Sequence, residues 1–346
     1  MNVVLFGAGN TGREVLAMLR SIGIEPVAFL DETPQKIGTI IDSIPVKSPE
    51  EFASEATNKP LVIVCLAKTF TNTSLKIRKL NKIGFVAISF LQLPHIFPHL
   101  TTRFQTSIPR LLTSLDDINR LNALVFDDRS RKVLNEQIQF RLTLDGSVIT
   151  SLDKLIYFPS PQDVPLDIQD QAYFLDAGAY DGDTLFMASG LLPQCIKAYA
   201  FEPDEANFSK LKLVVDKVGF ECEAIQAAIS DEDGVMAFSS SGDMSSSLDQ
   251  NGTTTVVAMS LPRVLESNFT GHPCYLKFDI EGSEASAIKS ALPWIARNKP
   301  KMAISIYHHP SDLWQIPLMI ADLNVGYNIA LRCYGYEGNE VVCYCF

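Results

Sequence analysis

The sequence lacks any apolar run long enough to cross a lipid bilayer. Its longest clean apolar stretch covers residues 61–67, whereas a membrane-spanning helix needs about 20 apolar residues. The first residues have no basic segment ahead of an apolar core and reach a glycine turn at once, which is unlike a secretory signal peptide. We therefore expect a cytoplasmic protein without a membrane span.

Positive charge is also scarce. Lys and Arg number 29 against 40 Asp and Glu, and the formal net charge is −11 at pH 7. The sequence has no long run of Lys and Arg that would attract a polyanion against this negative field. We therefore exclude nucleic acid as an expected partner and expect a small-molecule or glycan partner instead. The sequence leaves the formation of a homo-oligomer open.

Paired cysteine motifs are missing as well. None of the seven cysteines belongs to a CxxC motif, and an odd, scattered set does not indicate a disulfide framework. Cys343 and Cys345 alternate along a β-rich segment, where we expect one buried and one exposed thiol rather than a metal site. His95 and His99 are flanked by prolines and lack a nearby acid cluster, so we interpret them as loop residues.

The length and composition indicate two globular domains. The chain has 346 residues, of which 47% are hydrophobic and 20% charged, and a typical domain has about 100 to 200 residues. Apolar strand patterns alternate with helical spacing in both halves, which predicts two doubly wound α/β domains with parallel sheets. We predict a Rossmann-like accessory domain over residues 1–110, a helical connector over 111–165 that ends in a proline-rich stretch, and a second α/β domain over 166–346.

A glycine-rich turn follows the first predicted strand and precedes a helical pattern. Such glycines let the backbone approach a pyrophosphate at a helix N-terminus, and an acid at the end of the next strand can bond a ribose hydroxyl. The turn therefore predicts a second nucleotide site, for NAD(P) or another nucleotide, formed by Gly7, Gly9, Asn10, Thr11, Gly12 and Asp31. The alternative is a glycine turn that serves packing alone. About the first 90 residues resemble small nucleotide-binding domains at the front of some bacterial polysaccharide-biosynthesis enzymes.

A second glycine loop, in residues 173–184, carries the stronger signal. Gly178 and Gly182 remove side chains where a ligand must pass close to the backbone, and the carboxylate of Asp176 suits a cationic amino-acid group better than a phosphate. The loop lacks the Gly-Lys-Ser/Thr ending of a P-loop. Glu202 ends the next predicted strand, where an acid can accept both ribose hydroxyls of an adenosine. The predicted ligand-binding residues are Asp176, Gly178, Ala179, Tyr180, Gly182, Asp183, Thr184, Glu202, Pro203, Ala228 and Asp279.

Two further strand ends bring polar side chains to the same edge of the predicted sheet. Asp279 and Glu281 follow one strand, and His308 with His309 follows the next. We predict Asp279 as the catalytic base, with His308 as the second choice, against the alternative that Asp279 only orients an acceptor or the loop. Asp279 and Glu281 could instead hold a divalent cation, but two carboxylates alone do not specify a metal, and we assign none.

The segments that carry these residues resemble FkbM-type methyltransferases. They read FLDAGAYDGDT (174–184), FEPD (201–204), LKFDIEGSE (276–284) and IYHHP (306–310), in the family's order, and the resemblance covers most of residues 170–346. It implies a seven-stranded class I methyltransferase sheet whose last strand is antiparallel, S-adenosylmethionine as the cofactor of the glycine loop and Glu202, and methylation of hydroxyls on sugars or polyketide-like molecules. Phe278 stands where many relatives have an aliphatic residue, a change that does not alter the expected chemistry.

Three functions remain in competition at this point. The first is an S-adenosylmethionine-dependent O-methyltransferase of polysaccharide biosynthesis, whose N-terminal domain docks the acceptor or mediates self-association. The second is an NAD(P)-dependent oxidoreductase of nucleotide sugars, which depends on the glycine turn in residues 7–12, and the third is a noncatalytic binding protein with a methyltransferase fold. A polar run over residues 239–247 is interpreted either as a linker loop or as a lid.

Overall fold

The computed structural model divides the chain into two compact units. The first unit comprises Met1–Ile108, Asn135–Thr150 and Gly335–Asn339, and the second comprises Pro109–Leu134, Ser151–Tyr334 and Glu340–Phe346. The structure describes residues 2–55, 59–66, 71–100, 108–239, 247–248, 252 and 254–346. None of the helices within these ranges is long and apolar enough to cross a membrane. The domain boundaries drawn from the sequence remain a prediction.

Six strands form the sheet of the first unit. Its elements are β1 (Val3–Phe6), α1 (Asn10–Ser21), β2 (Ala28–Leu30), β3 (Ile40–Ile41), β4 (Ile44–Lys47), α2 (Pro49–Glu55), β5 (Leu61–Val64), α3 (Thr73–Lys82), β6 (Val86–Ser89) and α4 (Leu93–Ile96). The strand order is β3-β4-β2-β1-β5-β6, and only β3 pairs antiparallel. Strands β1 and β5 are buried at every position, because a parallel sheet is covered on both faces. This confirms the predicted α/β architecture.

Three helices lie between the two large sheets along the chain: α5 (Ile108–Thr113), α6 (Leu115–Leu124) and α7 (Asp128–Thr143). The spacing of apolar residues over 130–142 predicts a helix, and α7 confirms it. His95 lies in the short helix α4 rather than in a loop, and its side chain is exposed. Short 3-10 helices occupy Phe90–Gln92 and Gly146–Val148.

Seven strands form the large sheet of the second unit. The elements of this unit are β7 (Tyr173–Ala177), α8 (Asp183–Leu191), β8 (Lys197–Phe201), α9 (Glu205–Val215), β9 (Glu221–Ile225), β10 (Ala228–Ser230), β11 (Gly234–Ser239), β12 (Ser247–Leu248), β13 (Thr254–Ser260), α10 (Leu261–Asn268), β14 (Cys274–Phe278), α11 (Glu284–Asn298), β15 (Lys301–Ser305), α12 (Asp312–Ala321), β16 (Ile329–Cys333) and β17 (Val341–Cys345). The sheet order is β16-β17-β15-β14-β7-β8-β9. Strand β17 runs antiparallel to both of its neighbours, as the resemblance implies for a class I methyltransferase sheet.

A small second sheet interrupts the predicted third strand of this unit. The apolar pattern over residues 222–229 predicts one strand, but β9 ends at Ile225 and β10 joins a four-stranded sheet of order β10-β13-β11-β12. The amide of Ala227 donates to the carbonyl of Ile225, so the chain turns between the two strands. Most of the polar run predicted as a linker or a lid, residues 240–246, lies outside the described residues.

The expectation of one buried and one exposed thiol in the last strand is wrong. Cys343 and Cys345 are both fully buried. Residues two apart point to the same face of a strand, and β17 lies inside the sheet between β15 and β16. Both cysteines are free thiols.

Candidate active site

The glycine loop between β7 and α8 is shaped by residues with positive φ. Gly178, Tyr180 and Gly182 have φ of 79°, 49° and 90°. A Cβ on Gly178 would lie 1.8 Å from the carbonyl oxygen of Asp279, so this position cannot accept a larger residue without moving the end of β14. Gly182 is the N-cap of α8 and has no side chain to cap it, while the carboxylate of Asp183 accepts from the amide of Thr184 at 2.6 Å. The loop therefore presents backbone and a helix N-terminus whose first turn carries one carboxylate.

Glu202 ties this loop to the end of β8. Its two carboxylate oxygens accept hydrogen bonds from the amides of Tyr180, at 2.9 Å, and Asp204, at 2.8 Å. Burial raises the pKa of Glu202 to about 7, although the two amide donors act in the opposite direction. The structure therefore places Glu202 beside the glycine loop, with Pro203 directly after it. Ala228 instead belongs to the small sheet, where it pairs with Ala258.

The side chain of Asp176 is buried and pairs with a lysine of the adjacent strand, and its predicted contact with a ligand stays a prediction. Its side chain is fully buried and lies 3.1 Å from the ammonium of Lys277. Burial raises the pKa of Asp176 to about 6, and Lys277 opposes this rise. The ammonium also donates to the carbonyl of Gly178 at 2.6 Å. Asp176 therefore neutralises Lys277, which in turn holds the glycine loop.

Tyr157 brings a hydroxyl group to Asp279 from far away in the sequence. The hydroxyl donates to Asp279 Oδ2 at 2.8 Å and lies 3.3 Å from Ser305 Oγ. Tyr157 has a positive φ of 64°, and its amide donates to the hydroxyl of Tyr344 at 3.0 Å. Backbone strain of this kind persists only where the surroundings fix it. The sequence analysis missed Tyr157 because it lies in the segment predicted as a connector.

His308 lies among three carboxylates at the ends of β14 and β15. Its Nδ1 is 2.9 Å from Glu284 Oε1, and its Nε2 is 3.5 Å from Glu281 Oε1 and 3.6 Å from Asp279 Oδ1. Burial disfavours the charged imidazole, but the carboxylates of Glu284 and Glu281 outweigh it and raise the pKa of His308 well above its usual value. His308 therefore lies close to Asp279, Glu281 and Glu284 at this edge of the sheet, and the choice between Asp279 and His308 as the base stays a prediction.

Glu284 was also missed by the sequence analysis. It is fully buried, and its oxygens accept hydrogen bonds from the amides of Ile280, at 2.7 Å, and Gly282, at 3.0 Å. Asp279, Glu284 and His308 each offer a possible metal-ligand atom, and these atoms lie within 4.8 Å of one another. His309 follows on the exposed rim of the sheet.

The glycine turn of the first unit is explained largely by packing. A Cβ on Gly12 would lie 2.0 Å from the carbonyl oxygen of Gly7. The carboxylate of Asp31 accepts hydrogen bonds from the amides of Ala8 and Thr33, both at 2.9 Å. Gly9, by contrast, has no described atom within 4 Å of the position that a Cβ would occupy, and it is the N-cap of α1, ahead of Asn10 and Thr11. A nucleotide in this turn therefore remains a prediction that depends on Gly9 and the N-terminus of α1.

The sheet order and the glycine loop define the second unit as a class I methyltransferase fold. Residues 176–331, a little under half of the chain, match the family model described as the methyltransferase FkbM domain. The chain is also similar in fold to the crystal structure of methyltransferase FkbM from Methylobacillus flagellatus KT, with a TM-score of 0.81 and 20% identity over 100% of this chain and 90% of that one.

Two other structural similarities are much weaker. UDP-D-quinovosamine 4-dehydrogenase from Vibrio fischeri gives a TM-score of 0.23 at 24% identity, over 32% of this chain and 97% of that one. Aeropyrum pernix fibrillarin, in complex with S-adenosyl-L-methionine, gives a TM-score of 0.34 at 14% identity, over 53% of this chain and 69% of that one. Both TM-scores are too low to support an argument. No curated protein sequence is similar enough to this chain to count as a match.

Proposed function

We propose that this protein is an S-adenosylmethionine-dependent O-methyltransferase that acts on a hydroxyl of a sugar, a glycan or a related small molecule. The observation that carries the proposal is the glycine loop held by Glu202 through the amide of Tyr180, at the carboxyl ends of β7 and β8. This loop lies within the segment that matches the FkbM methyltransferase domain. S-adenosylmethionine, when bound, supplies an electrophilic methyl group on a sulfonium.

The residues around the loop fit such a cofactor. Each carboxylate oxygen of Glu202 accepts one amide and keeps a further lone pair, so the side chain can still accept two ribose hydroxyls. The carboxylate of Asp183 accepts from the amide of Thr184 at the N-terminus of α8, and the other amides of that turn favour a carboxylate such as that of the methionine part. The ion pair of Asp176 and Lys277 keeps the loop in place beneath these groups.

The acceptor would meet the carboxyl end of β14. A hydroxyl that attacks a methyl group must be held in line with the sulfur and must lose its proton. Asp279 is the proposed contact for this hydroxyl, since its Oδ2 is oriented by Tyr157 and its Oδ1 faces the His308 side of the site. Cytoplasmic location and self-association stay predictions from the sequence.

Calorimetric titration with S-adenosylhomocysteine tests the cofactor part of the proposal. We expect saturable binding by the wild type and at least tenfold weaker binding by Glu202→Gln, because the amide cannot replace a carboxylate that accepts both hydroxyls. Glu205→Gln is the matched control, because Glu205 is exposed at the start of α9 and should leave binding unchanged.

Parallel titrations with NAD+ and NADP+ address the oxidoreductase alternative. Absence of S-adenosylhomocysteine binding, together with binding of a dinucleotide that Gly9→Ala abolishes, would replace the methyltransferase proposal by a nucleotide-sugar oxidoreductase. Binding of S-adenosylhomocysteine through Glu202 would direct the search for an acceptor to sugars and glycans.

A further inference from the structure

The Nε2 atom of the buried His308 ring has no ordinary hydrogen bond. The side chain is 3% exposed and its Nδ1 lies 2.9 Å from Glu284 Oε1, but within the described part of the chain Nε2 has no hydrogen-bond partner of normal geometry. Asp279 Oδ1 is likewise buried without one. Buried polar groups are normally hydrogen-bonded, so a group that is not calls for a missing partner such as an ion.

The two nitrogens of this ring have different surroundings. Nδ1 faces Glu284, whose oxygens are themselves fixed by the amides of Ile280 and Gly282. Metal-binding histidines commonly direct their second nitrogen to a carboxylate in this way, which sets the orientation of the ring. The other nitrogen, Nε2, is therefore the one directed toward Asp279 and Glu281.

The distances around Nε2 suit ligands of one ion better than hydrogen-bond partners. Its separations from Glu281 Oε1 and Asp279 Oδ1 are 3.5 and 3.6 Å, beyond a normal N–H···O distance. Two ligand atoms that are each bonded to one ion at about 2.0–2.1 Å lie about 2.8–3.0 Å apart in octahedral geometry and about 3.3–3.4 Å apart in tetrahedral geometry. Side-chain shifts of a few tenths of an ångström would bring either oxygen into the tetrahedral range.

The charges of the cluster also favour a cation. Three carboxylates surround one imidazole. The ammonium of Lys277 adds a positive charge nearby, but it is paired with Asp176 at 3.1 Å. Buried carboxylates are stable when they are paired or bind a metal, and a divalent ion would neutralise the excess negative charge.

We propose that Asp279, Glu281 and His308 Nε2 bind one divalent cation of the Mn²⁺ or Zn²⁺ type, and that Glu284 orients the imidazole. Mixed imidazole and carboxylate ligands suit these ions. This inference rests on the proposed methyltransferase function and deepens it, because a remaining coordination position would bind the acceptor hydroxyl and lower its pKa. The proton passes to water, the hydroxyl oxygen forms a bond to the methyl carbon, and the carbon–sulfur bond breaks with its electron pair on sulfur. Asp279 then serves as a ligand of the ion rather than as the base.

Binding of Mn²⁺ to the metal-stripped full chain, followed by electron paramagnetic resonance with Zn²⁺ and Mg²⁺ as competitors, tests the site. We expect one Mn²⁺ per chain and at least tenfold weaker binding by Glu281→Gln and by His308→Gln. Glu284→Gln should weaken binding by about 10- to 100-fold through loss of orientation. His272→Gln is the control, because His272 is exposed before β14 and stacks on Tyr173 with 4.1 Å between the ring centroids. This variant should bind Mn²⁺ as tightly as the wild type does.

The thermal unfolding of every variant is measured in parallel. If His308→Gln does not fold, Glu281→Gln still tests the site, because Glu281 is partly exposed and its replacement should be tolerated. Absence of saturable Mn²⁺ and Zn²⁺ binding by the folded wild type, or equal binding by wild type and Glu281→Gln, would overturn the proposal. Titration with S-adenosylhomocysteine in the absence of metal separates the two proposals. Cofactor binding without ion binding would overturn the ion site alone, whereas ion binding without cofactor binding would overturn the methyltransferase function alone.

Discussion

Arg332 offers a direct test of how the second unit is held together. Its guanidinium is 1% exposed and donates to Asp127 at 2.7 Å and to Asp163 at 2.9 Å. It also donates to the carbonyl of Asp163 and to Ser130 Oγ. The replacement Arg332→Met keeps most of the side-chain volume in β16 but removes the charge and all of these donors.

We expect Arg332→Met to lower the free energy of unfolding by about 3 kcal/mol. Removal of one partner from a buried ion pair costs about 3–5 kcal/mol because the other charge stays buried. The carboxylates of Asp127 and Asp163 are each 27% exposed, so water partly compensates them and the lower end of the range applies. Arg120→Met is the control, since Arg120 and its partner Asp322 are about half exposed, and an exposed pair contributes less than about 1 kcal/mol.

Urea unfolding at pH 7, followed by far-ultraviolet circular dichroism, measures both variants. The hydrogen bonds to Arg332 and Ser130 outweigh burial and lower the pKa of Asp127 below its usual 3.8. A carboxyl group whose pKa is lower in the folded protein stabilises the fold at pH values above its pKa in the unfolded chain, and this contribution is lost as pH falls through its pKa in the folded protein. The difference in the free energy of unfolding between wild type and Arg332→Met should therefore become smaller below about pH 4. If Arg332→Met lowers the free energy of unfolding at pH 7 by no more than Arg120→Met does, this reasoning is refuted.

Two further predictions concern the glycine loop. Gly178→Ala should unfold at a lower temperature and lose S-adenosylhomocysteine binding, because its Cβ would lie 1.8 Å from the Asp279 carbonyl oxygen. Gly190→Ala is the control, because this position lies in α8 and no described atom is within 4 Å of its Cβ. This variant should have unchanged stability or be more stable by up to about 1 kcal/mol. Affinity for S-adenosylhomocysteine should fall as pH drops below about 7, where Glu202 gains a proton. Calorimetric titrations at pH 6 and pH 8 measure this change. If Glu202→Gln shows the same pH dependence as the wild type, Glu202 is not the group responsible.

Local patterns in the sequence were sufficient to predict both α/β units. Continuous apolar strands such as β1 and β5 have a signature that needs no knowledge of distant contacts. The pairing of the glycine loop with Glu202 was predictable for a related reason. Adjacent parallel strands end at the same edge of a sheet, so the ends of β7 and β8 had to meet.

The residues that the sequence analysis missed depend on long-range contacts. Tyr157 reaches Asp279 across 122 positions of sequence, and Arg332 reaches Asp127 across 205. Neither residue belongs to a motif, and no periodicity relates such distant positions. The burial of Asp176 was also not predictable from the sequence. A carboxylate at a strand end is expected to be accessible unless the pairing with Lys277 on the adjacent strand is known.

The division of the chain between the two units has a consequence for synthesis on the ribosome. The first unit includes Gly335–Asn339, the turn between β16 and β17, where Glu337 is buried and a Cβ at Gly338 would lie 2.6 Å from the ring of Phe140. The unit that begins at the N-terminus therefore cannot be completed until almost all of the second unit has been made. Domains usually fold in the order of their synthesis, but here Gly335–Asn339, the segment that completes the first unit, is followed directly by Glu340–Phe346 of the second.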